Sequence, residues 1–319
     1  MNNKFQTFIL EKTNATSLQE VEIIQELWSG YGHIKRFALE GSPLKSVVVK
    51  NVQYPNQQKH LRRWNSELSH ERKLKSYQVE TAWYTMYAEH SKARLPKCYG
   101  ISKQNNEVCI VLEDLDAVGY THRKQDISWQ GIDNCLAWLA NFHATYLGQT
   151  PLNLWAIGSY WHLATRPDEF AVLSDAPLKK AASYIDKKLN NCTYTTFIHG
   201  DAKLANFCFS ASDKVAGVDF QYVGGGCGIK DVAYFMGSCL QEEECKRLEA
   251  DILTTYFTHL HSALGAEHKA LEKEWRILYP YAWADFHRFL KGWSPSHWKL
   301  NSYSERITQK VIKELSDGL

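Results

Sequence analysis

His199-Gly200-Asp201-Ala202-Lys203-Leu204-Ala205-Asn206, followed a short way on by Val218-Asp219-Phe220, is the pattern that decides how this chain is read. Moving a phosphoryl group asks few covalent roles of a protein: a carboxylate to orient the attacking hydroxyl and take its proton, and oxygen ligands for the divalent cation that bridges the phosphates. Asp201 fits the first role, and Asn206 and Asp219 fit the second. One amide oxygen and one carboxylate are a reasonable protein share for magnesium, which prefers hard oxygen ligands and keeps several waters. Lys203, two residues beyond Asp201, points back along the loop toward the transferring phosphate, where its charge offsets that of the transition state. A lone His-Gly-Asp would be an ordinary turn. Four positions in this order, flanked by strand patterns over Thr196 to Ile198 and Val215 to Phe220, favour the chemical reading.

The pattern H-G-D-x4-N with a later D-F pair resembles the aminoglycoside phosphotransferase and choline kinase superfamily, which shares the protein-kinase-like fold. The stretch from Val218 through Gly237, V-D-F-Q-Y-V-G-G-G-C-G-I-K-D-V-A-Y-F-M-G, resembles its ecdysteroid kinase-like branch. The resemblance is sharp over roughly Phe197 to Leu240. It implies Asp201 as catalytic base, Asn206 and Asp219 as magnesium ligands, and Asp231, before Ala233-Tyr234-Phe235, as a brace for the catalytic loop. It also implies that His199 holds the backbone rather than acting as a base.

Working toward the N-terminus, Leu18, Val21, Ile24 and Leu27 fall at helical spacing. His33 to Leu39 and Ser46 to Val52 read as strands around the turn Glu40-Gly41-Ser42-Pro43. A helical stretch runs roughly from Trp64 to His90, with Val79, Trp83, Met86 and Tyr87 on one face, and Val108 to Leu112 is a short buried strand. Period two puts Val48, Lys50 and Val52 on one strand face, where Val48 covers an adenine and Lys50 reaches the α and β phosphates of ATP. A kinase strand lysine pairs with a helix glutamate; Glu80 is the first candidate and Glu71 the second. The alternative for Lys50 is a solvated lysine on an edge strand. Ser29-Gly30-Tyr31-Gly32 is a candidate turn over the phosphates, and no Walker-type motif occurs. Glu113-Asp114-Leu115 either resembles the family's lobe hinge, whose backbone binds adenine, here through Glu113 and Leu115, or is a plain strand end.

Beyond this point the pattern turns helical. Ser128 caps a helix carrying Ile132, Cys135, Leu136, Leu139, Phe142, His143 and Tyr146 on one face, with His143 as a satisfied core residue. The expected architecture is therefore α+β: a bilobal protein-kinase-like fold, with residues 1–115 forming a small antiparallel-sheet lobe that clamps ATP. Residues 116–319 form a larger, mostly helical catalytic and acceptor-binding lobe, with a cleft between the two. Gly224-Gly225-Gly226-Cys227-Gly228 reads as a short flexible segment without direct phosphate contact. Trp275, Tyr279, Tyr281, Trp283, Phe286, Trp293 and Trp298 crowd the C-terminal region around Asp285. They either pack helices or, with that carboxylate, hold a cationic group of the acceptor.

A net charge of +2 points away from nucleic acid as a partner, and apolar runs such as Val108 to Leu112 are too short for a membrane span. Eight cysteines without a C-x-x-C pair suit free thiols in a reducing cytoplasm and no zinc site. The function expected is transfer of the ATP γ-phosphate to a hydroxyl of a small molecule. The alternative is a nucleotide-binding scaffold of the same fold without catalysis. A protein kinase is disfavoured because Asp219 to Asp231 is too short for an activation segment and no A-P-E follows.

Overall fold

The computed structural model describes residues 3–27, 30–54 and 67–317. Its elements are α1 (Asn3–Thr13), β1 (Ser17–Glu26), β2 (Gly32–Glu40), β3 (Ser46–Gln53), α2 (Glu67–Met86), β4 (Cys98–Gln104), β5 (Glu107–Glu113), α3 (Trp129–Thr145), α4 (Pro167–Ala171) and α5 (Ala176–Asn190). They continue as β6 (Thr196–Ile198), β7 (Phe207–Phe209), β8 (Val215–Gly217), β9 (Gly224–Gly226), α6 (Ile229–Cys239), α7 (Glu242–Leu264), α8 (Lys269–Trp293) and α9 (Ser302–Asp317). The chain divides into two compact units, one of residues 1–90, 94–122 and 208–221, the other of residues 91–93, 123–207 and 222–319. The division is not a single cut near residue 115, because residues 208–221 pack with the first unit.

The first unit is built on a five-stranded antiparallel sheet in the order β1-β2-β3-β5-β4. Val47 and Val49 of β3 point to one face and join Phe37, Cys109 and Val111 in a core closed by Phe5 and Ile9 of α1. The opposite face carries Lys50. Helix α2 covers the unit with Val79 and Trp83 buried, while Met86 of the expected apolar face is exposed. Trp64 to Ser66 and Ser29, which the sequence reading included in a helix and a turn, lie outside the described residues.

One expectation fails here. Leu18 to Leu27 do not form a helix: Ser17–Glu26 is the edge strand β1, and Val21, Ile23 and Ile24 are exposed. Its register against β2 shifts between Glu20 and Glu22 and again between Ile23 and Gln25. Each irregularity breaks the alternation of a regular strand, and two of them leave apolar residues at a spacing that imitates a helical stripe.

The second unit is helical. Ser128 caps α3 by accepting from the Gly131 N–H, and the stripe from Ile132 to Tyr146 is buried as its spacing predicts. Short β6 pairs antiparallel with β9, the triple-glycine segment. This corrects the expectation of a flexible stretch. A Cβ on Gly224 would stand 2.2 Å from the Trp155 carbonyl oxygen, so glycine is required by the close passage of another backbone.

Replacing Ile9 by alanine removes a fully buried side chain from the sheet–α1 core, and the expected loss of stability is about 2–5 kcal/mol. Urea denaturation of wild type and variant measures it; an unchanged midpoint would show that α1 does not contribute to that core.

Candidate active site

In the first unit, Lys50 is buried and its Nζ lies 2.6 Å from Glu80 Oε2 and 3.7 Å from Asp219 Oδ1. Of the two sequence candidates it is Glu80, not Glu71, that pairs with the lysine. Burial by itself would discharge the ammonium, but the Glu80 and Asp219 carboxylates outweigh it, so the Lys50 pKa lies above the ordinary lysine value. Strand β8 ends at Gly217, short of the expected Phe220, because Asp219 adopts a left-handed backbone with φ 69°. Asp is one of the few residues that tolerate this region, and the conformation still costs about 1–3 kcal/mol. The bend presents the carboxylate to Lys50, and Gln221 Nε2 donates to Asp219 Oδ1 at 2.7 Å. Gln221 is fixed in turn by donors from Lys73 and Ser76 on α2. The Phe220 ring stacks on Trp83 with centroids 4.8 Å apart, which anchors the bend to α2.

In the second unit, the loop after β6 is held from beneath by Asp231 of α6. Its carboxylate is fully buried and accepts from the His199 N–H at 2.6 Å and the Gly200 N–H at 3.0 Å. His143 Nε2 lies 3.2 Å from the same carboxylate and His143 Nδ1 2.8 Å from the Tyr256 hydroxyl, so this histidine is a satisfied core residue. The Asp201 N–H donates to His199 Nδ1, which makes His199 a support for the backbone. Gly200 has φ 76°, and a Cβ there would sit 2.3 Å from the Tyr222 carbonyl oxygen. No other residue type fits this turn.

The Asp201 side chain emerges from that loop and accepts three hydrogen bonds. Lys203 Nζ and Asn206 Nδ2 reach its Oδ2 at 2.9 and 3.1 Å, and the Tyr234 hydroxyl reaches its Oδ1 at 3.0 Å. Burial, and after it the negative charge of Asp201, push the Tyr234 phenol well above its ordinary range, so it stays protonated and donates. The Tyr160 hydroxyl extends the chain 3.2 Å beyond. Lys203 is thus engaged with Asp201 itself. Tyr234 follows Asp231 by three residues on one helix, a spacing that puts both on the face toward the loop, so its position was readable once Asp231 was placed. Tyr160 and Gln221 carry no signal of their own in the sequence.

Asn206 also fits a divalent cation. Its amide nitrogen is committed twice, to the backbone carbonyl of Asp201 at 2.8 Å and to Asp201 Oδ2. Its carbonyl oxygen then faces the other way and takes no hydrogen bond among the described residues. Amide and carboxylate oxygens are the hard donors that magnesium takes.

Glu113 and Leu115 stand at the end of β5. The Glu113 side chain pairs with Arg94 at 2.7 Å and accepts from the Lys97 N–H, and its own N–H donates to the Lys97 carbonyl. The Leu115 carbonyl accepts from the Tyr120 and Val118 amides, and its N–H donates to no partner among the described residues.

Of the two roles open to the C-terminal aromatic cluster, Asp285 takes the packing one. Asp285 is 1% exposed and fully engaged: it accepts from the Trp161 indole at 3.0 Å and from Arg288 at 2.8 Å, with Lys230 at 3.5 Å. It is a core ion pair and offers nothing to a ligand. Trp275, Tyr279, Tyr281, Trp283 and Phe286 are buried between helices, whereas Trp293 and Trp298 are exposed.

The fold is of the protein-kinase-like class, a small antiparallel sheet with a helical unit that bears the H-G-D-x4-N loop. A family model described as the ecdysteroid kinase-like family matches residues 40–148 and 162–267, more than half of the chain; the protein belongs to that family. Among solved structures, one described as an aminoglycoside phosphotransferase of Ralstonia eutropha is similar with a TM-score of 0.59 at 11% identity, covering 98% of this chain and 94% of that one. The amicoumacin kinase hAmiN, solved in complex with AMP-PNP, Ca2+ and Ami, gives 0.55 at 12% identity over 100% and 96%. A microcompartment-associated aminopropanol kinase gives 0.53 at 12% identity over 99% and 98%. No curated protein matches the sequence. No described helix is long and apolar enough to cross a membrane.

Replacing Asp231 by alanine leaves the His199 and Gly200 amides buried without an acceptor. Each orphaned donor costs roughly 1–3 kcal/mol, so the variant should lose on the order of 2–6 kcal/mol in chemical denaturation. A loss below 1 kcal/mol, taking roughly the lower limit for one donor, would show that the loop does not hang from this carboxylate.

Proposed function

We propose that the protein is a small-molecule kinase that transfers the γ-phosphoryl group of ATP, with magnesium, to a hydroxyl group. The observation that carries the reading is the buried Lys50 held between Glu80 and an Asp219 whose backbone is bent into the left-handed region to face it. A structural ion pair would need only Lys50 and Glu80. The added, partly exposed carboxylate in a strained conformation is what a phosphate and metal site requires. The family, and relatives in fold that are named as kinases of small alcohols and antibiotics, support the same reading.

In this reading Lys50 takes the α and β phosphates, and the Leu115 N–H at the end of β5 is available to an adenine ring nitrogen. Asn206 and Asp219 would hold the magnesium ion, which when bound offsets charge on the phosphate oxygens. Asp201 accepts a hydrogen bond from the acceptor hydroxyl and orients it toward the γ-phosphorus. The new bond joins the acceptor oxygen to phosphorus, and the bond to the β–γ bridging oxygen breaks. ADP leaves with that electron pair while the hydroxyl proton passes to Asp201. Lys203, on Asp201 in the resting site, is near enough to follow the charge onto the phosphoryl oxygens.

Asp201→Asn should lower acceptor-stimulated ADP release by about 10²–10⁴-fold with magnesium-dependent ATP binding retained. A variant as active as wild type would remove Asp201 from the chemistry, and a wild type that binds ATP without turnover across a broad screen of hydroxylated metabolites would favour the inactive scaffold. Asp219→Asn should abolish the magnesium dependence of ATP binding measured by calorimetry; unchanged dependence would place the metal elsewhere.

A further inference from the structure

Lys299, in the connection between α8 and α9, stands over three aromatic rings. Its Nζ is 5.2 Å from the centroid of Tyr234 and 5.6 Å from those of Phe286 and Trp298. Tyr234 is the residue whose hydroxyl donates to Asp201 Oδ1, so one ring carries the catalytic carboxylate at its edge and an ammonium over its face. Aromatic faces attract a cation without neutralising it. Among the described residues, no carboxylate lies within ion-pair distance of Lys299. Burial pushes its pKa down to about 8, with the Asp201 charge opposing the shift and the Lys203 charge adding to it.

The neighbouring charged groups are engaged with partners of their own. Lys203 pairs with Asp201, Arg166 lies over the rings of Tyr160 and Phe289 and pairs with Glu169, and Asp285 is sealed with Arg288 and Lys230. Beside the Asp201 loop, Lys299 is a cation set on aromatic faces rather than on a carboxylate. It is half-buried, and a partly desolvated charge without a counter-ion is relieved by an incoming anion.

We propose that Lys299 is the acceptor-selecting cation of the Asp201 site: it binds an anionic oxygen, such as a carboxylate, carried by the acceptor alcohol and disfavours acceptors that carry an ammonium group. The inference rests on the kinase reading and deepens it. It also reverses the sequence-level option of a cationic acceptor, since the aromatic faces that would receive a ligand's cation hold the chain's own.

The test uses matched trios of alcohols, built on phenyl, cyclohexyl and isopropyl carbinols, each bearing a carboxylate, a carboxamide or an aminomethyl group; mandelate, mandelamide and 2-amino-1-phenylethanol form the first. ADP release should give wild-type kcat/KM at least tenfold higher for the carboxylate member than for the amine in at least one trio. Lys299→Arg should keep that order, Lys299→Met should lose it, and Lys299→Glu should turn it toward the amine. If Lys299 merely steadied Tyr234, Lys299→Met would slow all members equally, and that result overturns the proposal. So does a wild type without anion preference in any trio, silence included. Titration of magnesium-ATP into wild type separates the two failures: bound nucleotide without anion preference sinks only the acceptor assignment, whereas no bound nucleotide sinks the kinase reading and this inference with it.

Discussion

The carboxylate of Asp231 is the constraint on which the second unit depends. Two consecutive backbone amides, of His199 and Gly200, have no helix or sheet partner for those N–H groups, and a buried amide without an acceptor is expensive. One buried carboxylate takes both, and a third contact from His143 ties it to α3. The loop must then turn through Gly200 in a conformation and a space that admit no side chain. Once that turn is fixed, the Asp201 direction is fixed with it, and Asn206 and Lys203 close back onto the carboxylate within the same loop.

That locality explains what the sequence reveals. Asp201, Lys203 and Asn206 lie within six residues, so their order along the chain is nearly their order in space, and the pattern could be read without the fold. Lys50 and Glu80 are thirty positions apart, yet strand periodicity places Lys50 with Val48 and Val52, and the resemblance to kinases supplies the pairing with a helix glutamate. Strand β1 was misread because its two register shifts erase the alternation that identifies a strand. Helix α1 was missed because only Phe5 and Ile9 of its polar sequence are fully buried, too few for a periodic signal. Asp285 is left open between two roles for a different reason: a carboxylate among aromatic residues looks the same in sequence whether it faces a ligand or an arginine one helical turn away. Only the positions of Arg288, Lys230 and Trp161 decide that.

The two buried ionic clusters illustrate how charge is distributed by task. Asp285, Arg288 and Lys230 are each about 1% exposed and lock α6, α8 and the Trp161 segment together. Burying ions is rarely the cheapest way to stabilise a core, but three hydrogen-bonding groups define one arrangement of those helices, and Tyr234, four residues beyond Lys230 on α6, inherits its position from it. Lys50 and Glu80 are as deeply buried, but their cluster opens to solvent through Asp219, whose side chain is 36% exposed. The first cluster is closed on every side, and the second is open where a charged ligand can complete it.

In the proposed kinase reading, the hydrogen bonds on Asp201 bear on what kind of catalyst it would be. A carboxylate that already accepts from Lys203, Asn206 and Tyr234 is held in orientation and is poorly suited to pulling a proton early from an alcohol. Phosphoryl transfer through a loose transition state does not ask for that, because the bond to the leaving oxygen is largely broken before the attacking oxygen has gained much charge. The proton becomes acidic late, and what matters before then is that the hydroxyl points in line with the phosphorus. The same three donors that weaken Asp201 as a base fix its remaining lone pairs in direction, so the geometry favours positioning over proton affinity.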